Sequence, residues 1–189
     1  MRFTSTTLHG VTMVELDERV DDRGFFARSY CPEEFAAAGI THVVAQENVS
    51  FNHRAGTCRG IHFQTPPHAE AKLVRCTAGA VFDVAVDLRP ESPTFGAWFG
   101  AELTASNRRA LYVPPRCGHA YLTLVDDTEV TYQVSAAYAP GSEGGLPPTD
   151  PTLSIEWPFV PMVLSDKDRA WAPFDEQVKR LRVAMEGFR

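Results

Sequence analysis

A histidine, a tyrosine and a lysine in this sequence could together carry out proton transfer at carbon. His62 lies in RGIHFQ (59–64), Lys72 in AKLV (71–74) and Tyr132 in EVTYQVS (129–135). Removal of a proton next to a ketone requires a base, an acid that returns a proton, and a cation beside the developing enolate oxygen. These three residue types therefore predict carbon-acid chemistry, although each of them alone is also typical of a structural position.

Strand alternation indicates where the three side chains point. His62 falls on the opposite face of its strand from Ile61 and Phe63, so it faces solvent or a wet cavity. Tyr132 shares a face with two valines, as a core aromatic residue does. Lys72 lies in a half-buried strand, where a lysine is usually solvated or lays its stem along the apolar surface.

A histidine base is improved by a carboxylate that fixes its tautomer and stabilises the imidazolium. The candidates are Asp83, Asp87, Asp166 and Asp168, and spacing does not choose among them. Because the base must start neutral, activity is expected to fall as the histidine is protonated at acidic pH.

The elements that must hold these residues are mainly β-strands. Glycine and proline punctuate the chain, and the apolar residues between them recur at every second position, the pattern of half-buried strands. The clearest strand is VFDVAVDLR (81–89), which follows KLVRC (72–76) across TAGA, a hairpin signal. Further strands are predicted at 12–16, 46–51, 57–64, 97–103, 110–113, 120–124 and 129–135. So many short strands predict a sandwich or a jelly roll.

Two short helices and one long loop complete the predicted elements. A helix is expected at 32–38, ended by Gly39, and a second at 175–186, followed by Gly187. Residues 139–151 are rich in glycine and proline, which predicts a long loop that either covers a site or merely connects elements.

Composition limits the class of protein. The chain of 189 residues is 44% hydrophobic and 22% charged, so it can bury the core of one domain, predicted to span residues 1–189. A net charge of −6 argues against sequence-independent binding of nucleic acid. No apolar stretch resembles a signal peptide or a membrane span, and the widely spaced cysteines include no C-x-x-C pair. A cytoplasmic protein without a membrane partner is therefore predicted.

Nine segments spread over nearly the whole chain carry a family resemblance. They are DDRGFF (21–26), QENVSF (46–51), RGIHFQ (59–64), AKLV (71–74), FDVAVDLRPESPTFG (82–96), HAYLTL (119–124), EVTYQVSAAY (129–138), TDPTLSIEWP (149–158) and LSDKD (164–168). In this order they resemble the dTDP-4-dehydrorhamnose 3,5-epimerase family, including its relatives that epimerise other nucleotide-linked 4-keto-6-deoxy sugars. The resemblance implies a homodimeric jelly-roll cupin that binds no metal and needs no cofactor. It also implies a dTDP-sugar substrate whose C4 ketone acidifies the C3 and C5 hydrogens.

The resemblance implies roles for the residues at matching positions. His62 matches the histidine that removes a proton, and Tyr132 matches the tyrosine that returns one from the other face. Asp168, in LSDKD, matches the aspartate paired with that histidine, and Lys72 matches the lysine that helps to hold the substrate and the enolate. Further matches imply contacts with the nucleotide-sugar: Arg23, Gln46, Asn48, Arg59, His119, Tyr138, Glu143 and Lys167.

Three positions depart from the family pattern. Arg28 stands where members commonly have glutamate, Ala120 in PPRCGHAY (114–121) replaces the usual glycine, and GLPPTDP (145–151) lacks the family's G-x-R-W-x-D-P. All three are expected at ligand contacts, where the charge of Arg28 could alter recognition of the sugar or the phosphates. They therefore bear on the choice of substrate more than on the catalytic residues.

Two alternative functions are open. A metal-dependent cupin would use His62 and His119 as ligands, although Gln64 breaks the tight H-x-H pattern that such sites usually have. A repurposed relative would keep the scaffold but catalyse another acid–base reaction or only bind a ligand. Within the leading hypothesis, the sequence leaves open the sugar, the nucleotide, and the choice between inversion at C3 alone and at both C3 and C5.

Overall fold

Two antiparallel sheets face each other in the computed structural model, which describes residues 1–186. With strands numbered in chain order, the six-stranded sheet runs β1 (Arg2–Ser5), β2 (Thr12–Glu15), β10 (Ala110–Val113), β7 (Lys72–Ala78), β12 (Thr128–Val134) and β5 (Gln46–Asn52). The five-stranded sheet runs β13 (Glu143–Gly145), β6 (Cys58–Gln64), β11 (Cys117–Thr123), β8 (Ala80–Asp87) and β9 (Trp98–Thr104). The predicted cupin-type jelly-roll architecture is confirmed.

A separate hairpin and three short helices flank the two sheets. The hairpin pairs β3 (Arg19–Asp21) with β4 (Gly24–Phe26), and the helices are α1 (Pro32–Ala37), α2 (Asp166–Ala170) and α3 (Phe174–Ala184). The sequence pattern predicts α1 and α3 but not α2, and Gly187, expected after the last helix, lies outside the described residues. None of the helices described is long and apolar enough to cross a membrane.

Every predicted strand is present within a few residues of its expected bounds, but one predicted connection is wrong. The hairpin expected across TAGA does not form, since β7 belongs to the six-stranded sheet and β8 to the five-stranded sheet. Gly79 takes a φ of 76° where the chain crosses between the sheets, a conformation that favours glycine. The two strands therefore face each other across the interior instead of lying side by side.

The prediction of half-buried strands is wrong for the centre of the fold. β8 buries Val81 and Ala85 in an inner core shared by both sheets, and it buries Val84 and Val86 in a second core with α3. A third core packs Phe35 of α1 against the six-stranded sheet. Because these layers are stacked, the central strands have no face left for solvent.

Residues 139–151 contain more structure than the predicted loop. A short 3-10 helix at Pro140–Ser142 is followed by β13, which pairs with β6. In this register Glu143 lies opposite Gln64, and Gly145 lies opposite His62. The segment thus extends the five-stranded sheet and brings Glu143 beside the strand that carries His62.

Candidate active site

A cavity of about 470 Å³ lies between the two sheets, and a second cavity of about 310 Å³ adjoins it. These volumes fall in the range of sites for small molecules. His62, Lys72 and Tyr132 line both cavities, so they stand where the two meet. His62 comes from β6 of one sheet, whereas Lys72 and Tyr132 come from β7 and β12 of the other. The site is therefore built across the interior, with the histidine facing the tyrosine and the lysine.

His62 is held by its strand and by an aspartate from α2. Ile61 and Phe63 are buried in the core beneath α3, which turns His62 towards the cavity, as strand alternation predicts. Nε2 of His62 lies 2.5 Å from Oδ1 of Asp168. An ionised carboxylate only accepts hydrogen bonds, so Nε2 carries the proton and Nδ1 is left with the basic lone pair.

The start of α2 positions Asp168. Ser165 is the N-cap residue, and its hydroxyl oxygen accepts a hydrogen bond of 3.0 Å from the Asp168 backbone N–H. Burial opposes ionisation of the Asp168 carboxyl, but the hydrogen bond and charge of His62 outweigh it and hold the pKa of Asp168 below its ordinary value. An ionised carboxylate is thus in place to stabilise an imidazolium.

Tyr132 and Lys72 face His62 from the six-stranded sheet. Tyr132 packs against the inner core, as predicted, and it also lines the larger cavity. Burial raises the pKa of the Tyr132 phenol, although the nearby Arg59 guanidinium opposes the rise. Lys72 is buried and paired with Glu70, which sets it apart from the solvated lysine that is usual on a half-buried strand.

A second histidine–aspartate pair lies beside the first. His119 on β11 is the cross-strand neighbour of His62 and lines the larger cavity. Its Nε2 lies 2.8 Å from Oδ1 of Asp83, a fully buried side chain. Burial raises the pKa of Asp83, and His119 offsets this only in part. Asp83, one of the candidate partners of His62, therefore pairs with His119 instead.

The close approach of the two histidine-bearing strands depends on Gly60. Its φ is 117°, and a Cβ at this position would lie 2.5 Å from the carbonyl oxygen of His119. Only glycine meets both requirements without displacing the backbone of β11. Gly60 of RGIHFQ is therefore a structural condition for placing His62 next to His119.

The smaller cavity has a wall of hydrogen-bonded polar residues. The Tyr138 backbone N–H donates to Gln46 at 3.0 Å, and the Tyr138 hydroxyl donates to Glu143 at 2.8 Å. The Lys167 ammonium ion donates to the same carboxylate at 2.5 Å. Burial opposes ionisation of Glu143, but these two side-chain hydrogen bonds lower its pKa overall. The wall thus offers fixed donors and acceptors to a ligand.

The structure brings eleven of the thirteen predicted site residues to these two cavities. Seven line the larger one and four more line the smaller one: His62, Lys72, Tyr132, Asp168, Arg59, His119 and Lys167, then Gln46, Asn48, Tyr138 and Glu143. Arg23 and Arg28 line neither, since Arg23 pairs with Asp21 on the exposed hairpin and Arg28 pairs with Glu34 of α1. The substrate contacts of these two arginines stay a prediction.

The other two departures from the family pattern, like Arg28, lie away from both cavities. Ala120 is fully buried in the core beneath α3, next to Gly60. In GLPPTDP, Leu146 belongs to the same core, and the last four residues line a separate surface groove. A single chain therefore does not provide the ligand contacts expected at these positions.

Two features of the site were not predicted. Glu70 lines the smaller cavity, and the segment around it has no periodicity or motif that could have indicated this role. The helix α2 did have a signal, because Ser165 and Asp168 form the S-x-x-D pattern that marks a helix N-terminus.

The two histidines bear on the metal alternative. His62 and His119 each direct Nε2 to an aspartate. Across residues 1–186, no group of three or more histidine, cysteine, aspartate or glutamate side chains is arranged to hold a metal ion. Metal analysis of the purified protein is the direct test of that alternative.

The geometry suits proton transfer across a bound carbonyl compound. Nδ1 of His62 can take a proton from one face, the Tyr132 hydroxyl can deliver one from the other, and the Lys72 ammonium ion can stabilise an oxyanion between them.

Comparison with known proteins gives consistent matches. Residues 5–176 match the family model described as dTDP-4-dehydrorhamnose 3,5-epimerase. A protein of that name from Salmonella typhimurium is 43% identical over 176 residues, covering 91% of this chain and 94% of the relative. A dTDP-4-dehydrorhamnose 3-epimerase from Streptomyces niveus is 41% identical over 170 residues, covering 89% of this chain and 82% of the relative. The crystal structure of the 3,5-epimerase from Bacillus anthracis, with TDP and PPi bound, has a TM-score of 0.88 and 41% identity, covering 91% of this chain and 98% of that one.

Proposed function

This chain belongs to the dTDP-4-dehydrorhamnose 3,5-epimerase family, and we propose that it inverts its sugar by proton transfer between His62 and Tyr132. It is an isomerase that acts on a dTDP-linked 4-keto-6-deoxy sugar. His62 is the base, Tyr132 is the acid on the opposite face, Lys72 stabilises the enolate, and Asp168 orients the base.

The reaction proceeds in two steps. Nδ1 of His62 removes the proton from a carbon next to the C4 ketone, the C–H electron pair forms a carbon–carbon double bond, and the carbonyl π pair moves to oxygen. Lys72 stabilises the resulting enolate. The enolate carbon then takes the hydroxyl proton of Tyr132 from the other face, which restores the ketone with inverted configuration. Exchange with solvent afterwards reprotonates the phenolate and removes a proton from the imidazolium.

The placement of His62 and Tyr132 on facing sheets, with one cavity between them, carries this proposal. A base on one side alone would return the proton to the face it came from, which regenerates the starting configuration. Inversion requires a donor on the other side of the ring. The position of Tyr132 supplies that donor, and its raised pKa favours the protonated form.

The substrate is proposed to lie along both cavities. The sugar occupies the junction, where His62, Lys72 and Tyr132 meet. Arg59, on the wall of the larger cavity, is the cation for the diphosphate, because a guanidinium group matches phosphate oxygens.

A homodimer of single-domain subunits is the proposed working form. β5 is an edge strand that exposes Val49 and Phe51, and the β3–β4 hairpin exposes Val20 and Phe26. A partner covering these surfaces could also bring its own hairpin to the site, which would give Arg23 a route to the substrate. Light scattering tests the dimer, and a monomeric protein would contradict it.

A cytoplasmic location is part of the same proposal. The four cysteines are free thiols in the described structure, and Cys58, Cys76 and Cys117 are buried, as small hydrophobic residues often are. Burial also raises the pKa of Cys76 to about 11, so this thiol is unreactive. Unpaired thiols of this kind are typical of a reducing compartment.

Incubation with dTDP-4-keto-6-deoxyglucose in D2O, followed by NMR, tests the reaction. Deuterium at C3 and C5 would indicate a 3,5-epimerase, and deuterium at C3 alone would indicate a 3-epimerase. His62→Ala is expected to abolish exchange at every position. Tyr132→Phe is expected to retain some exchange while losing inversion, because His62 can still form the enolate.

His53→Ala is the matched control, because this histidine is exposed on the surface and should leave the rate unchanged. Full exchange in His62→Ala would show that His62 is not the base. No exchange in the wild-type protein would direct the search to other nucleotides and to a repurposed reaction.

A further inference from the structure

Glu70 is a buried carboxylate beside the proposed reaction centre, and it has no role in the proposed mechanism. It lies just before β7, lines the smaller cavity and is 8% exposed. One of its oxygens pairs with the Lys72 ammonium ion. The other, Oε2, is buried and has no hydrogen-bond partner among residues 1–186.

The unpartnered oxygen indicates that a contribution to folding stability does not explain why a glutamate stands at position 70. A buried acceptor without a donor destabilises the folded state, and an ionised carboxylate loses more solvation on burial than an amide of the same shape. Such groups concentrate at functional sites, where charge is needed for chemistry. Glu70 shares its cavity with the base, the acid and the lysine of the proposed reaction.

The charge of Glu70 also acts on Tyr132. Burial raises the pKa of the Tyr132 phenol most, the Arg59 guanidinium opposes the rise, and the Glu70 carboxylate adds to it. The other titratable or charged groups that line the cavities together with Tyr132 are Cys58, His62, Lys72, His119, Tyr121, Tyr138, Glu143, Lys167 and Asp168. Glu70 thus offsets part of the effect of Arg59 on the phenol.

We propose that Glu70 is a positioning residue of the epimerase, which holds the Lys72 ammonium ion at the reacting carbonyl and keeps the Tyr132 hydroxyl in its proton-donating form. This assignment rests on the proposed roles of Lys72 and Tyr132. Without the carboxylate, the ammonium ion loses its anchor, and its charge adds to that of Arg59 near the phenol. Both changes favour a phenolate, which has no proton to give to the enolate.

Glu70→Gln tests the assignment, because it removes the charge with little change of shape. We expect kcat to fall roughly 10- to 100-fold with KM within about twofold, since positioning acts on the reacting state. Loss of the negative charge lowers the pKa of Tyr132, so the alkaline limb of the kcat–pH profile should move to lower pH. Glu102→Gln, which removes an exposed carboxylate on β9, should change neither quantity.

A spectroscopic titration provides a readout that does not depend on activity. The ultraviolet absorbance of tyrosinate is followed against pH in the wild type and Tyr132→Phe, and in Glu70→Gln and the Glu70→Gln/Tyr132→Phe double variant. The difference within each pair is the titration of Tyr132, and its midpoint should be lower without Glu70. An unchanged midpoint, or a loss confined to KM, would overturn the assignment. Failure of the proposed function is distinct, because Tyr132→Phe would then still invert the sugar.

Discussion

The proposed base and the proposed cation each lie against a buried carboxylate. Asp168 lies behind His62, and Glu70 lies beside Lys72. Burial disfavours a charged group unless a partner compensates it, so each carboxylate stabilises a positive charge on the side chain beside it. The residues that hold the base and the cation are therefore as important as the reacting atoms.

Asp168→Asn tests the dependence of the base on its partner. An amide cannot stabilise the imidazolium and can hold the wrong tautomer, so kcat should fall on the order of 10²–10⁴-fold. The rate of C3 deuterium exchange measures the effect. Asp166→Asn changes an exposed residue of the same helix and should keep the wild-type rate. A wild-type rate in Asp168→Asn would mean that His62 works without this carboxylate.

The pH dependence of kcat follows from two shifted groups. The pKa of Asp168 is lowered, so its carboxylate stays ionised as the pH falls below the ordinary range of aspartate. Loss of the Asp168 charge therefore should not limit kcat across the ordinary range of aspartate. The pKa of Tyr132 is raised, so the alkaline limb should lie above the ordinary range of tyrosine, about 10. A profile of kcat for inversion against pH in the wild-type protein checks this limb, and an alkaline limb at or below the ordinary tyrosine range would contradict it.

At the scale of elements, the site depends on how closely β6 and β11 approach. Gly60→Ala would place a Cβ against the His119 carbonyl oxygen, at a φ that L-residues rarely adopt. A loss of stability of roughly 1–3 kcal/mol is expected, together with a lower kcat because the two histidines separate. Denaturant unfolding and the exchange assay measure the two effects.

Gly141→Ala is the matched control for Gly60→Ala. A Cβ at Gly141 would meet nothing within 4 Å, and this glycine is not among those with a positive φ. The control should therefore keep the unfolding midpoint and the rate of the wild type. Equal midpoints in the two variants would mean that the strands can separate without cost.

Sequence patterns predicted the structure correctly where residues close together in the chain determine it. Ile61 and Phe63 turn His62 into the cavity, so strand alternation alone predicts its direction. The connection after β7 is different, because the glycine turn is local but the choice of sheet depends on long-range packing. The pairing of His62 with Asp168 joins residues 106 positions apart, so resemblance indicated it and spacing did not.

At the scale of the whole molecule, the fold brings cationic side chains to one cavity of a protein whose net charge is negative. The net charge is −6, yet Arg59, Lys72 and Lys167 all line the larger cavity; Glu70 and Glu143 pair with the two lysines, which leaves Arg59 as the cation for an anionic group. An acidic protein can thus hold an anionic nucleotide-sugar at one place while its remaining surface repels nucleic acid. Arg23 is absent from this group because it lies on the exposed hairpin.

A mixed-dimer experiment tests whether the hairpin of one subunit serves the site of the other. Arg23→Ala and His62→Ala are each expected to be inactive or nearly so as homodimers. In a mixed dimer, the site that keeps His62 would receive Arg23 from the partner, so one of its two sites would be intact. Random mixing of equal amounts makes half of the dimers mixed, which should restore about one quarter of the wild-type rate.

The mixed dimer distinguishes an Arg23 that serves the partner's site from an Arg23 that serves the site of its own subunit. If Arg23 instead served its own subunit, every site in a mixed dimer would lack either Arg23 or His62, and no activity would return. Arg54→Ala, which changes an exposed arginine lining neither cavity, is the control and should remain active by itself. Restored activity would place the exposed hairpin at the partner's site, and it would explain why a single chain leaves Arg23 outside both cavities.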